Sequence, residues 1–211
     1  MSLLNTALFA DPELDALLDD NAHLAAIVHF EAMLASASAS EGLVPDQAAR
    51  AISDSLANAR LDTAALLKAL RAGLPEASRS YLHYGATSQD AIDTAWVLQL
   101  AQIVPMLQLR LGHISSTLDG LAVQFGRQRL MAHTRMQAAL PITLADKLLG
   151  WQRIIDECSS GLTFAAKRAL AVQLGGPVGN RASFEGKGDA IAARLAELLG
   201  LADAPAWHGN R

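Results

Sequence analysis

The sequence has a single cysteine, Cys158, so no disulfide can close within the chain. Cys158 falls inside a helical pattern and is expected to be a buried structural thiol. No Cys/His spacing resembles a metal site, and nothing in the chain calls for a metal or a cofactor. Aromatic residues make up only 5% of the chain, and runs of Val, Ile, Tyr and Thr are almost absent, which argues against a protein built on sheets. There is no basic excess: 17 Lys and Arg stand against 21 Asp and Glu, for a net charge of −4. A nucleic-acid partner is therefore not expected. No stretch reaches about 18 uninterrupted apolar residues, the length at which a membrane span becomes plausible. The first residues lack a basic segment before an apolar one, so no secretory signal is read there. A reducing cytoplasm fits these absences.

Alanine and leucine dominate what is present, and an all-α fold is the natural expectation. From Pro12 to Ala39 the apolar positions keep a broken helical period, read as two helices parting near Asn21 and His23. Two short amphipathic helices follow near residues 46 to 58 and 62 to 72, and Gly73 with Pro75 opens a loop. Residues 76 to 87 lack helical periodicity and read as a surface connection. Trp96, Leu100, Ile103, Leu107, Leu111, Ile114, Leu118 and Leu121 then recur at steps of three and four, predicting a helix of about 35 residues with a kink at Pro105. A second long helix is expected from Ile142 to Gln173, with Pro141 near its start and an apolar face wide enough to be covered on more than one side. Gly175, Gly176, Pro177 and Gly179 form a glycine-rich loop without the Gly-Lys-Ser/Thr of a phosphate-binding loop. A last helix is read at Gly188 to Leu199, while His23, His29 and His113 lie in helical patterns and are expected to be structural.

The most informative stretch is residues 83 to 94, HYGATSQDAIDT. Gly85 and Ala86 allow close backbone approach to a ligand, Thr87 and Ser88 bring hydroxyls, and Asp90 stands three residues after Thr87 as in a capping box. Free N–H groups at such a helix start favour a carboxylate or phosphate. A second polar cluster, His133, Thr134, Arg135 and Gln137, lies within MAHTRMQAALPIT at residues 131 to 143.

The first stretch resembles the first signature of the fumarase/aspartase superfamily, in the branch that holds adenylosuccinate lyases and bacterial 3-carboxy-cis,cis-muconate cycloisomerases. His83, Gly85, Thr87, Ser88, Asp90, Asp93 and Thr94 carry the match. The second cluster resembles the second signature through Thr134, Gln137, Ala139, Pro141 and Thr143. There His133 takes the family's arginine position, and Arg135 takes the position where lyases place a catalytic histidine. An arginine binds an oxyanion but is a poor proton shuttle, because its pKa lies above about 12. Lactone formation tolerates that change better than fumarate-forming elimination, since a substrate carboxylate is itself the nucleophile and only a carbon needs a proton. The opening FADPELDALLDDNAHLAAIVHFEAMLA, the Gly-Gly-Pro-Val-Gly loop and the final Trp-His-x-Asn-Arg also resemble cycloisomerases.

The resemblance implies an N-terminal helical domain over residues 1–90, the first part of a long-helix bundle over 91–211, and a homotetramer with sites shared between subunits. It implies ring closure of 3-carboxy-cis,cis-muconate to a carboxymuconolactone in the protocatechuate branch of aromatic catabolism. The candidate catalytic residues are His83, His133 and Arg135, with Thr87, Ser88, Gln89, Thr134, Gln137, Asn210 and Arg211 binding substrate. The family's third signature, a serine-bearing mobile loop, has no counterpart in these residues, and the chain resembles the first half to two-thirds of such an enzyme. Two further readings stay open: an adenylosuccinate-type lyase, and a non-catalytic helical oligomerisation module.

Overall fold

A computed structural model describes residues 10–57 and 66–207 of the chain. It is mainly helical, as expected. Contacts divide it into two compact units, Met1–Gln102 with Ala169–Arg211, and Ile103–Arg168. The division does not run along a cut at residue 90. It falls inside a long helix, and the residues after 168 group with the N-terminal ones.

The first unit opens with α1 (Pro12–Leu18) and α2 (Asp20–Ser40). The break falls at Asp19, earlier than the apolar pattern alone indicates. Asp19 is extended (ψ 167°), and its carboxylate accepts the Ala22 N–H at 2.7 Å, so it caps the second helix. Asp11 caps α1 in the same way, with Pro12 in the first turn where its missing N–H costs nothing. Helix α2 is long and apolar enough to cross a membrane by length and composition, yet half of its most apolar window is buried inside the fold. It is a core helix here.

Helices α3 (Asp46–Ala57) and α4 (Leu66–Gly73) follow. The expected helix start at residue 62 lies outside the described residues. Ala32 and Ala35 of α2 meet Ala48, Ala49, Ile52 and Leu56 of α3 in one apolar cluster, closed by Leu70, Leu74 and Leu82. Residues read as a bare connection instead hold a 3-10 helix (Glu76–Tyr81), begun after Pro75 and tied by Arg79 Nε donating to the Leu74 carbonyl at 3.0 Å.

The opposite face of α2 builds the main core. Phe30, Leu34 and Ala37 pack with Val172, Leu174 and Phe184 and with Ile191, Ala192 and Leu195, all nearly or wholly buried. The last three lie on α7 (Gly188–Leu199), one apolar stripe recurring at steps of one, three and four. Helix α7 stops at Gly200, whose φ of 66° lets its N–H reach back to the carbonyls of Ala196 and Glu197. His23 is structural, as expected: its Nδ1 meets Gln99 Oε1 at 2.7 Å and its ring lies 4.7 Å from that of Trp96.

Helix α5 (Ser88–Phe125) runs 38 residues, continuous through Pro105, so it belongs to both units. In the second unit it is followed by strands β1 (Arg129–Thr134) and β2 (Gln137–Thr143) and by α6 (Leu144–Ala169). The antiparallel hairpin corrects the reading of this region, because Pro141 sits in a strand and the helix begins three residues later. Its true start is a capping box. Asp146 accepts the Thr143 N–H at 2.8 Å and hydroxyl at 2.7 Å, and these bonds, the backbone one first, hold its carboxyl below the usual range. Gln108 bonds Thr163 and Gln152 bonds Ser115, a reversed order that marks α5 and α6 as antiparallel here. Leu118 and Leu148 are buried, but Leu149, Trp151, Ile154 and Phe164 on α6 are exposed. Cys158 is exposed as well, contrary to the expected buried thiol. The helical pattern places it on α6, but no layer covers that face among the described residues.

Candidate active site

The loop leading into α5 is shaped by two left-handed residues, His83 (φ 64°) and Gly85 (φ 70°). Gly85 is required twice over. Besides its φ, a Cβ there would stand 2.6 Å from Phe184 Cε1, so the close approach that glycine permits is to the protein's own Phe184 ring. That corrects the expectation of close approach to a ligand at this position. Tyr84 between them donates its hydroxyl to Glu185 Oε1 at 3.0 Å. Burial raises the Tyr84 pKa, and the neighbouring Glu185 adds to the rise.

Asp90, one turn into α5, is wholly buried and organises this region. Its Oδ2 accepts the Thr87 N–H at 3.0 Å, which is the capping bond read from the sequence. Its two oxygens also accept Gln173 Nε2 at 2.9 Å and the backbone N–H groups of Gly175 at 2.9 Å and Gly176 at 2.8 Å. The glycine-rich loop thus wraps a carboxylate supplied by the chain itself. Thr94 extends the seam, accepting the Gln173 N–H at 3.0 Å and donating to the Gln173 carbonyl at 3.0 Å. Asp90, Thr94 and Gly85, three of the seven matching residues, therefore build the loop.

What this leaves for a ligand is narrower than the whole stretch. Ser88 is exposed and Thr87 partly so, and their hydroxyls make no hydrogen bond among the described residues. Gln89 donates its amide to Asp93 Oδ1 at 2.9 Å, which fixes its side chain along the helix. His83 Nδ1 lies 2.6 Å from Oε1 of Glu31 on α2. His83, Thr87, Ser88 and Gln89 thus share one turn and helix start in the first unit.

The second cluster is carried by the β-hairpin of the second unit. His133 and Thr134 end β1, Gln137 begins β2, and Arg135 with Met136 forms the two-residue turn between them. Both turn residues are left-handed, with φ of 45° and 65°. Such a turn ordinarily takes Asn-Gly or Asp-Gly, because a Cβ in this region costs about 1–2 kcal/mol per residue. Arg135 and Met136 bear that strain on an exposed tip, and backbone strain of this kind gathers at ligand-binding positions. Register slips between Met131 and His133, a bulge that re-aims the strand beside the tip. His133, Thr134, Arg135 and Gln137 are all exposed, and their side chains make no hydrogen bond or ion pair among the described residues. Asn210 and Arg211 lie outside the described residues.

Sequence reasoning passed over Glu31 and Tyr84, and it saw only one of the bonds to Asp90. For Glu31 a signal was present. It is an acid on the apolar face of a core helix, beside Phe30 and one turn before Leu34. The partners of Asp90 in residues 173–176 carried no signal, since they lie more than eighty residues away.

The mainly helical fold has counterparts among known proteins. A family profile described as Lyase matches residues 47–210, and the chain belongs to that family. It is 32% identical to the 3-carboxy-cis,cis-muconate cycloisomerase of Acinetobacter baylyi across 100% of the chain and 51% of that protein. To the enzyme of the same name from Pseudomonas putida it is 33% identical over 97% of the chain and 53% of the relative. The crystal structure of the Pseudomonas putida 3-carboxy-cis,cis-muconate lactonizing enzyme superposes with a TM-score of 0.92 at 35% identity, covering 100% of this chain and 52% of that one. The chain spans about half the length of the curated relatives it matches.

Proposed function

We propose that the chain contributes to a cycloisomerase that closes 3-carboxy-cis,cis-muconate to a carboxymuconolactone, a step of protocatechuate breakdown in the β-ketoadipate pathway. The observation that carries this reading is Arg135. A guanidinium with no hydrogen-bond or ion-pair partner among the described residues stands on a strained turn, at the position where the resembled lyase signature carries a histidine, so it is suited to holding an oxyanion and not to moving a proton. One substrate carboxylate attacks the diene and forms the ring C–O bond. The displaced electron pair moves onto a second carboxyl as an aci-type anion, and protonation of the adjacent carbon then restores that carboxylate. In a site shared between subunits, Thr87 and Ser88 of one chain and Arg135 of another stabilise the anion as it develops, with Gln89, Thr134, Gln137, Asn210 and Arg211 orienting the polycarboxylate and His83 or His133 supplying the proton.

The reading extends to a cytoplasmic homotetramer. The exposed Leu149, Trp151, Ile154 and Phe164 of α6 support burial against further chains. An ultraviolet assay of the full-length protein with 3-carboxymuconate and, in parallel, adenylosuccinate tests the activity. Turnover of the first alone is expected, and turnover of only the second assigns the chain to the lyases. Thr87→Ala with Ser88→Ala is expected to lower kcat/KM by about 10²-fold, the scale of a lost oxyanion donor, and unchanged turnover and affinity would remove both residues from the site.

A further inference from the structure

Glu31 occupies the core face of α2 next to Phe30 and is 1% exposed. Burying a carboxylate is costly unless it is paired, and the pairing found here is a single one. Oε1 lies 2.6 Å from His83 Nδ1, while Oε2 makes no hydrogen bond among the described residues. His83 is itself held in the left-handed region, at φ 64°, which a residue with a Cβ adopts only where its surroundings demand it. Its side chain is 11% exposed, and its other ring nitrogen, Nε2, has no partner among the described residues. The ring therefore has one nitrogen turned onto a buried acid and one left over, four residues before Thr87. The bond made at one imidazole nitrogen determines which nitrogen carries the proton and where the other points.

We propose that Glu31 is a positioning residue, accepting Nδ1–H from His83 and so leaving Nε2 as the nitrogen that takes up a proton and passes it to the substrate carbon at the Thr87–Ser88 segment. The second half of this statement rests on the reading of that segment as the substrate's anion site. Glu31 itself touches no substrate; it acts through the histidine.

The test uses the full-length protein labelled with nitrogen-15 histidine, with the His83 resonances assigned by their loss in His83→Gln. The wild type is expected to show His83 protonated at Nδ1. Glu31→Leu, close in size but without an acceptor, is expected to move the ring toward the Nε2–H form and to lower kcat on the order of tenfold, with a smaller change in KM. Glu31→Gln keeps an acceptor oxygen and is expected to recover most of the kcat, a rescue that loss of packing alone does not predict. A His83 bare at Nδ1 in the wild type overturns the proposal even where Glu31→Leu does not fold. A folded Glu31→Leu protein with unchanged His83 resonances and unchanged kcat overturns it as well. If the tautomer responds to Glu31 but no muconate is turned over, the positioning role stands and the cycloisomerase reading falls.

Discussion

Replacing Asp90 by alanine separates two views of the helix start at residue 88. If Asp90 were a capping residue only, its loss would cost about 1 kcal/mol, the usual value of a helix cap. The structure gives it more to do. Its carboxylate is wholly buried and accepts at least four N–H donors, from Thr87, Gln173, Gly175 and Gly176, at 2.8 to 3.0 Å. Hydrogen bonds to a charged group contribute about 1.5–3 kcal/mol each, and donors left buried without a partner carry a similar penalty. A plain sum overshoots, since the four share one acceptor and water can enter the space vacated. A loss of about 4 kcal/mol is therefore expected, near the values for breaking a buried charged network. Urea denaturation gives the total. Amide hydrogen exchange at Gly175 and Gly176 gives the local part, where about 4 kcal/mol corresponds to a loss of protection of roughly 10³-fold. A loss of no more than about 1 kcal/mol, with those two amides still protected, would refute the claim that Asp90 ties the glycine-rich loop to the helix start.

Gly85→Ala places a methyl 2.6 Å from Phe184 Cε1 at a φ of 70°, and it is expected to destabilise by about 2–4 kcal/mol; a midpoint of denaturation within error of wild type would contradict the packing described. Arg135→Gly removes a Cβ from a left-handed turn position, so a gain of about 1 kcal/mol in stability is expected together with a fall of at least roughly 10²-fold in kcat/KM; loss of stability with retained activity reverses the assignment. Tyr84 has a pKa raised by burial and by Glu185, so its contribution to stability is fully present below its unfolded value of about 10 and is lost as pH rises through the higher folded value. Thermal unfolding followed into alkaline pH is expected to show this loss in the wild type and to lack it in Tyr84→Phe; identical profiles would remove Tyr84 as the cause.

How far the fold could be read from the sequence depended on how far apart the interacting residues lie. Helix α7 was legible end to end, because an apolar stripe, a helix former at nearly every position and a terminating glycine all fall within thirteen residues. The capping contact of Thr87 with Asp90 was legible for the same reason, being three residues apart. The β-hairpin was not. MAHTRMQAALPIT has little strand propensity and no Asn-Gly, and its strands pair through a strained Arg135–Met136 turn that the sequence does not advertise. Asp90 was read as a cap and is a buried hub, and Cys158 was read as buried and is exposed. Periodicity says which residues share a face, but not whether another layer covers that face.

The sequence by itself determined the helical class, the order of the helices and the short polar stretches that carry family-like chemistry, since periodicity, capping and turn residues act over a few positions. Only the tertiary structure decided which members of those stretches are free to meet a ligand. Asp90, Thr94 and Gly85 are engaged by residues 173–184. His83 is fixed by an acid 52 residues earlier, while the hydroxyls of Thr87 and Ser88 keep no partner among the described residues. The physical reason is that a buried hydrogen-bonding group must be satisfied by whatever the fold brings to it, and a partner brought from a distant part of the chain leaves no local mark in the sequence.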